Sequence, residues 1–240
     1  MRPTTVGLAL AGVAAAREPS NPFTDDFGRI VREALDEWHV AGVSIAVVDG
    51  DEVFAEGYGF ATLPDVAATP ETLWYVGSTT KAHVAAALAQ LIDSGRHTDM
   101  LPRGWRTPVA AVIRDDFVLQ DAWATDHVTL EDAASHQTGL TAHDESLRYN
   151  RSGEGSGESG EARRRRIVRD TVRNLRHLPM QLEPRVEFHY NNQMYTVLGR
   201  VVEVVTGQWL GRVLRERVWA PLGMTASGGC GRCRRCRRTR

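Results

Sequence analysis

The chain has 240 residues, 42% hydrophobic and 25% charged, an ordinary globular balance with room for one domain or two small ones. Its 29 basic and 30 acidic residues leave a formal net charge of −1, so composition makes no general case for nucleic-acid or membrane-surface binding. No apolar run is long enough to span a bilayer.

Residues 1–22 are expected to be a leader. Arg2 precedes the alanine-rich apolar run 6–16, which ends in the small residues Ala14, Ala15 and Ala16. That is the outline of a short secretory signal, with an unprocessed helical or flexible leader as the competing reading. Regularity starts at Thr24, a candidate N-cap with Asp25 and Asp26 in the first turn, followed by an amphipathic stripe of Phe27, Ile30, Val31, Ala34, Leu35 and Trp38. Residues 43–48 and 52–60 flank Asp49-Gly50-Asp51 and signal a β-hairpin. Its first strand is apolar on both faces, at Val43, Ile45, Ala46, Val47 and Val48, which predicts a central strand and not an edge.

Residues 76–95 place Ser78 and Lys81 three positions apart at the start of a helical run, with Val84, Leu88, Leu91 and Ile92 on one side and Gly95 as the stop. On one helix face the lysine amine reaches the serine hydroxyl, and a serine is a poor nucleophile until a neighbouring base takes its proton. The helix N-terminus adds N–H groups and partial positive charge, suited to an oxyanion; together with desolvation it should push Lys81 toward the neutral amine. A surface capping serine and a solvated lysine fit the same four residues.

Positions 96–145 predict short helices and loops. Residues 151–161 predict a flexible surface loop, and the arginines at 163–166 a solvated helix start; no aromatic or second basic stripe accompanies them, so no nucleic-acid partner is expected. Tyr190-Asn191-Asn192 stands just ahead of an apolar helix. In an extended segment Tyr190 and Asn192 point the same way and can face one cleft, the phenol as general base or acid and the amide as an orienting group. Alternatively, Tyr190 is an amphipathic contact and Asn191 or Asn192 a helix N-cap. The last helical segments, 196–206 and 209–219, close at Pro221-Leu222-Gly223. Residues 226–240 are rich in glycine and arginine and hold all three cysteines, Cys230, Cys233 and Cys236. With no histidine after His189 to supply a fourth ligand, a disordered basic tail is expected there in preference to a metal site.

Four segments in this order, Ser78-Thr79-Thr80-Lys81, Ser135-His136-Gln137-Thr138-Gly139-Leu140, Tyr190-Asn191-Asn192 and Ala220-Pro221-Leu222-Gly223-Met224, resemble the serine β-lactamase and penicillin-binding-protein superfamily. The resemblance covers residues 23–225 and is strongest to the class C β-lactamase, esterase and transesterase branch; segments 23–65 and 123–129 look most like its fungal β-lactamase-related members. It implies an α+β fold of the β-lactamase/transpeptidase type, a helical region plus an antiparallel sheet. It implies Ser78 as nucleophile, Lys81 as its base or proton relay, Tyr190 as the second acid/base and Asn192 as substrate orienter. A small-molecule or peptide acyl substrate follows, with no metal or organic cofactor.

Two departures accompany the resemblance. No Lys-Thr-Gly or His-x-Gly element follows Asn192, so the closing C-terminal strands and the second oxyanion donor are expected to be missing from a truncated chain. Glu183-Pro184-Arg185 stands where many relatives have Pro-Gly before the tyrosine. The expected function is therefore a serine acyl-enzyme hydrolase or transesterase acting on an amide, β-lactam or ester carbonyl. The alternative is a catalytically impaired or inactive fragment of the same architecture.

Overall fold

The computed structural model describes residues 20–147 and 160–228. Most of the expected leader, the 151–159 part of the loop and the three cysteines lie outside the described residues. The chain divides after Trp74 into two compact units.

The first unit contains α1 (Asp25–Glu37), β1 (Gly42–Asp49), β2 (Glu52–Thr62) and β3 (Val66–Ala67). Thr24 caps α1: its backbone is extended and its Oγ1 accepts the Phe27 N–H at 3.2 Å, while Asp25 and Asp26 sit at the positive end of the helix. β1 and β2 pair antiparallel from Gly42 opposite Gly59 to Asp49 opposite Glu52, which leaves Gly50-Asp51 as a two-residue turn. Gly50 has φ 61°, open to glycine without strain.

β3 adds to β2 and makes β2 the middle strand of three, so β1 is an edge among the described residues, contrary to the expectation from its sequence. Its two-faced apolar pattern is only partly covered: residues 42–45 and 47 are half-buried, and at the turn Val48 and Val53 remain 70% and 68% exposed. α1 meets β2 around Tyr58, whose ring takes Phe27 edge-on at 6.4 Å. Phe27, Val31 and Leu35 are partly buried, but Ile30 and Trp38 stay exposed, because this small sheet covers only part of the helical stripe.

The second unit is helical: α2 (Thr80–Asp93), α3 (Val109–Ile113), α4 (Ala122–His127), α5 (Leu130–Ala134), α6 (Gly160–Asn174), α7 (Asn192–Thr206) and α8 (Leu210–Leu214), the last continuing into a π-helical turn at Arg215–Trp219. α7 is the hub. Met194, Val197, Leu198, Val201 and Val202 are fully buried on it, and it packs against α2, α3, α5, α6 and α8. α2 contributes Val84, Ala87, Leu88 and Leu91 to this core, with Ile92 partly buried against it. Gly95 at φ 64° and Gly207 at φ 70° follow the ends of α2 and α7 in the left-handed conformation usual after a helix. α6 begins at Gly160, so the arginines at 163–166 lie in its first two turns. Among the described residues no helix is long and apolar enough to cross a membrane.

Candidate active site

Ser78 sits in a single 3-10 turn, Gly77–Thr79, that runs directly into α2. The apolar face of α2 is locked into the core, so this exposed turn has a rigid base. One turn on, the Lys81 Nζ donates to Ser78 Oγ at 3.1 Å, the contact that the three-residue spacing predicts. The Tyr190 hydroxyl donates to the same oxygen at 2.6 Å. Asn192 Oδ1 accepts a second Lys81 N–H at 2.6 Å. All four candidate residues therefore meet. The Lys81 ammonium also lies 4.8 Å from the Tyr190 ring centroid and 5.4 Å from that of Tyr195.

The local fold explains how Tyr190 and Asn192 reach this point. Asn191, not Asn192, caps α7: its Oδ1 accepts the Met194 N–H at 2.9 Å and its buried amide donates to the carbonyls of Leu140 and Thr141. With the cap supplied by its neighbour, Asn192 is free to turn to Lys81. Its Nδ2 donates to Asp144 Oδ1 at 2.9 Å, so the amide is held from both sides.

His136 buttresses the same segment. Its backbone is left-handed at φ 62°, its carbonyl accepts the His189 N–H at 2.8 Å and its Nδ1 accepts the Asn191 N–H at 3.0 Å. Its ring lies 4.6 Å from the Tyr190 ring and 5.4 Å from Phe188. Burial, and then the positive charge of Lys81, hold its pKa below the usual histidine range, in keeping with an Nδ1 that must stay unprotonated to accept. Three residues on, Gly139 has φ 75° and lies so close to the 180–183 chain that a Cβ would stand 2.1 Å from the Leu182 carbonyl oxygen. Only glycine fits there.

Arg185, the departure from Pro-Gly, keeps a glycine-like backbone at φ 70°. Its guanidinium binds both oxygens of Asp132 at 2.9 and 2.7 Å and the His127 carbonyl at 3.0 Å. Asp132 in turn closes the capping box of α5 with Thr129.

Sequence reasoning quoted His136 and Arg185 without giving either a role and passed over Asp132 and Asp144. The usable signals were the Thr129-x-x-Asp132 capping pattern and the replacement of a glycine by arginine just before Tyr190.

Hydrogen bonding with Lys81 and then with Ser78 pulls the Tyr190 pKa below the ordinary phenol range, against smaller opposing effects of burial and of the Asp144 charge. Among the described residues no group of histidines, cysteines and carboxylates is arranged to hold a metal ion.

The fold that carries this cluster is shared with solved structures of the β-lactamase/transpeptidase type. A penicillin-binding protein homologue from Pyrococcus abyssi, described as octameric, superposes with a TM-score of 0.67 at 22% identity, covering 83% of this chain and 43% of that one. The chain belongs to the Beta-lactamase family, whose model matches residues 27–228. Among curated relatives, an unguisins hydrolase of Aspergillus campestris is 39% identical over 215 residues, 90% of this chain and 38% of that protein. A second unguisins hydrolase, from Aspergillus violaceofuscus, is 40% identical over 214 residues, 88% of this chain and 35% of that protein. The chain thus spans less than two fifths of the length of these two relatives.

Proposed function

We propose that this chain carries the nucleophile and proton-transfer groups of a serine acyl-enzyme hydrolase or transesterase. The observation that carries the reading is the convergence of Lys81 Nζ and the Tyr190 hydroxyl on one oxygen, Ser78 Oγ, at 3.1 and 2.6 Å. Membership of the Beta-lactamase family and the two hydrolase relatives support serine-hydrolase chemistry in general.

In the proposed reaction Ser78 Oγ bonds to the carbonyl carbon of an amide, β-lactam or ester while its proton passes to the Tyr190 phenolate or to the Lys81 amine. The Ser78 N–H at the helix start holds the developing oxyanion. As the tetrahedral species collapses, the carbon bond to the leaving nitrogen or oxygen breaks, and the leaving group takes up the same proton. Water releases the acid from the resulting ester, or an alcohol or amine takes the acyl group. Asn192 orients the substrate carbonyl through its amide.

A fluorophosphonate probe and p-nitrophenyl esters test the reading, with intact-mass and peptide mapping to locate the adduct. Stoichiometric labelling at Ser78 that disappears in Ser78→Ala supports it. Labelling that survives Ser78→Ala removes the nucleophile assignment. A folded chain that takes up no label at Ser78 supports the alternative, a catalytically impaired β-lactamase-like fragment. Unguisins, the substrates named for the two fungal relatives, are the first compounds to try for turnover.

A further inference from the structure

Asp144 opens the short 3-10 turn Asp144–Leu147 and stands at the end of a continuous hydrogen-bonded chain. Ser78 Oγ, Lys81 Nζ, the Asn192 amide and the Asp144 carboxylate are linked at 3.1, 2.6 and 2.9 Å. The carboxylate is exposed, and among the described residues no lysine, arginine or histidine forms an ion pair with it.

Two consequences follow from the chemistry of these groups. First, the Asn192 amide is fixed. Flipping it would set its carbonyl oxygen against a carboxylate and its NH₂ against the Lys81 amine, so both contacts would be lost. Held as it is, Nδ2 spends one hydrogen on Asp144 and keeps the other for a substrate carbonyl. Second, a carboxylate with no counter-cation stands beside the group that would hold that carbonyl. Its field extends into the site, where it opposes ionisation of Tyr190. Lys81, bonded to Ser78 Oγ and to the other end of the same amide, acts on substrate charge in the opposite sense; it is common to the parent and to Asp144→Asn, so the Asp144 contribution is read from the change in ratios between them.

We propose that Asp144 sets the charge specificity of this site, favouring acyl substrates that carry a protonated amine beside the carbonyl held by Asn192 and disfavouring those that carry a carboxylate there. The proposal rests on the acyl-enzyme reading of Ser78. For unit charges about 5 Å apart, an effective dielectric constant between about 40 and 80 gives roughly a four- to fifteenfold effect in each direction. Exposure makes that effect sensitive to salt.

The test compares three p-nitrophenyl esters of one amino acid, with the α-amine free, acetylated or succinylated, and subtracts spontaneous hydrolysis measured with Ser78→Ala. In the parent protein kcat/KM should rank free amine above acetyl above succinyl. In Asp144→Asn, which keeps an acceptor for Asn192 Nδ2 but drops the charge, the free-amine to acetyl ratio should fall roughly four- to fifteenfold and the succinyl to acetyl ratio should rise. Both changes should shrink between about 50 mM and 0.5 M salt. In Asp144→Ala the ratios should match those of Asp144→Asn while all three esters slow further, because the amide is no longer oriented. Ratios equal in the parent and Asp144→Asn, with Ser78 still acylated, overturn this proposal alone. Failure of every ester to acylate Ser78 in the parent overturns the acyl-enzyme reading and this proposal with it.

Discussion

Replacing Arg185 separates two opposing energies that the structure places on one residue. Its backbone is left-handed at φ 70°, which costs a residue with a Cβ about 1 kcal/mol. Against that cost stands the bidentate pair with Asp132, whose side chain is 8% exposed against 47% for Arg185. Burial alone would raise the Asp132 pKa, but the hydrogen bonds from Arg185 and Thr129 outweigh it and hold the carboxylate below its ordinary range. Breaking a fully buried pair costs about 3–5 kcal/mol; water can reach this half-exposed one, so about 2 kcal/mol is the better figure. Arg185→Ala loses the pair and keeps the strain, a net loss of about 2 kcal/mol. Arg185→Gly loses the pair but relieves the strain, a net loss of about 1 kcal/mol. For a unit of this size these become falls in Tm of about 4–8 °C and about 2–4 °C.

Thermal denaturation at pH 7 by circular dichroism measures both, and a double-mutant cycle with Asp132→Asn isolates the pair. The pH dependence has a definite sign. Asp132 has a depressed pKa when folded, so its contribution is present above the unfolded value of 3.8 and is lost as pH falls through the lower folded value; the gap between parent and Arg185→Ala should close as the medium is acidified below about pH 4. Equal Tm values for the alanine and glycine variants would refute the backbone argument. An alanine cost undiminished in the Asp132→Asn background would refute the ion pair.

Lys81→Ala and Tyr190→Phe should each suppress acylation of Ser78 while leaving the circular dichroism spectrum and Tm near those of the parent, since neither fills the core; a sharp fall in Tm with labelling intact would assign that residue a structural role. The acylation rate of the parent should rise with pH through a value below the ordinary phenol pKa of 10.0, and Lys81→Ala, which removes the largest cause of the shift, should move any residual rise to higher pH. His136 binds protons less readily when folded, so the parent should lose stability as pH falls below 6.5; His136→Asn, whose side chain tolerates the left-handed backbone, should flatten that slope. Glu203 is fully buried, and among the described residues its Oε2 has no hydrogen-bond partner, only the Arg200 guanidinium at 3.8 Å; burial outweighs that charge and raises its pKa, so stability is lost as pH rises above the unfolded value of 4.5. Glu203→Gln keeps an acceptor for the Leu210 N–H and should match or exceed the parent Tm at pH 8, with the difference vanishing near pH 4.

Local pattern announced the second unit better than the first. The α2 stripe of Val84, Leu88 and Leu91 is buried as its periodicity predicts, and the apolar α7 is buried beside it, because each has helices on the side its apolar face requires. β1 carries an equally plain apolar signal and emerges as a half-buried edge, since burial depends on what lies over a strand and not only on its own composition. The Thr24 cap and the Gly50-Asp51 turn were legible because both are settled within a few residues.

The same division of range governs the site. Ser78 and Lys81 are three residues apart, and one helical turn suffices to bring them together. Tyr190 lies 112 positions from Ser78; its place ahead of a helix with an asparagine two residues on was ambiguous by itself, and the order of the resembling segments is what joined it to Ser78. Which asparagine would cap that helix was open on sequence grounds, because either could supply the acceptor. Asn191 supplies it: its Oδ1 accepts the Met194 N–H while its own N–H goes to His136 Nδ1, 55 positions away, and Asn192 Oδ1 accepts from Lys81. His136→Asn therefore threatens more than stability. If that variant kept the parent Tm yet lost Ser78 acylation, the capping choice would be shown to set the catalytic geometry; if acylation persisted, the Asn191 side chain, through Met194, Leu140 and Thr141, would hold the segment without help from the histidine.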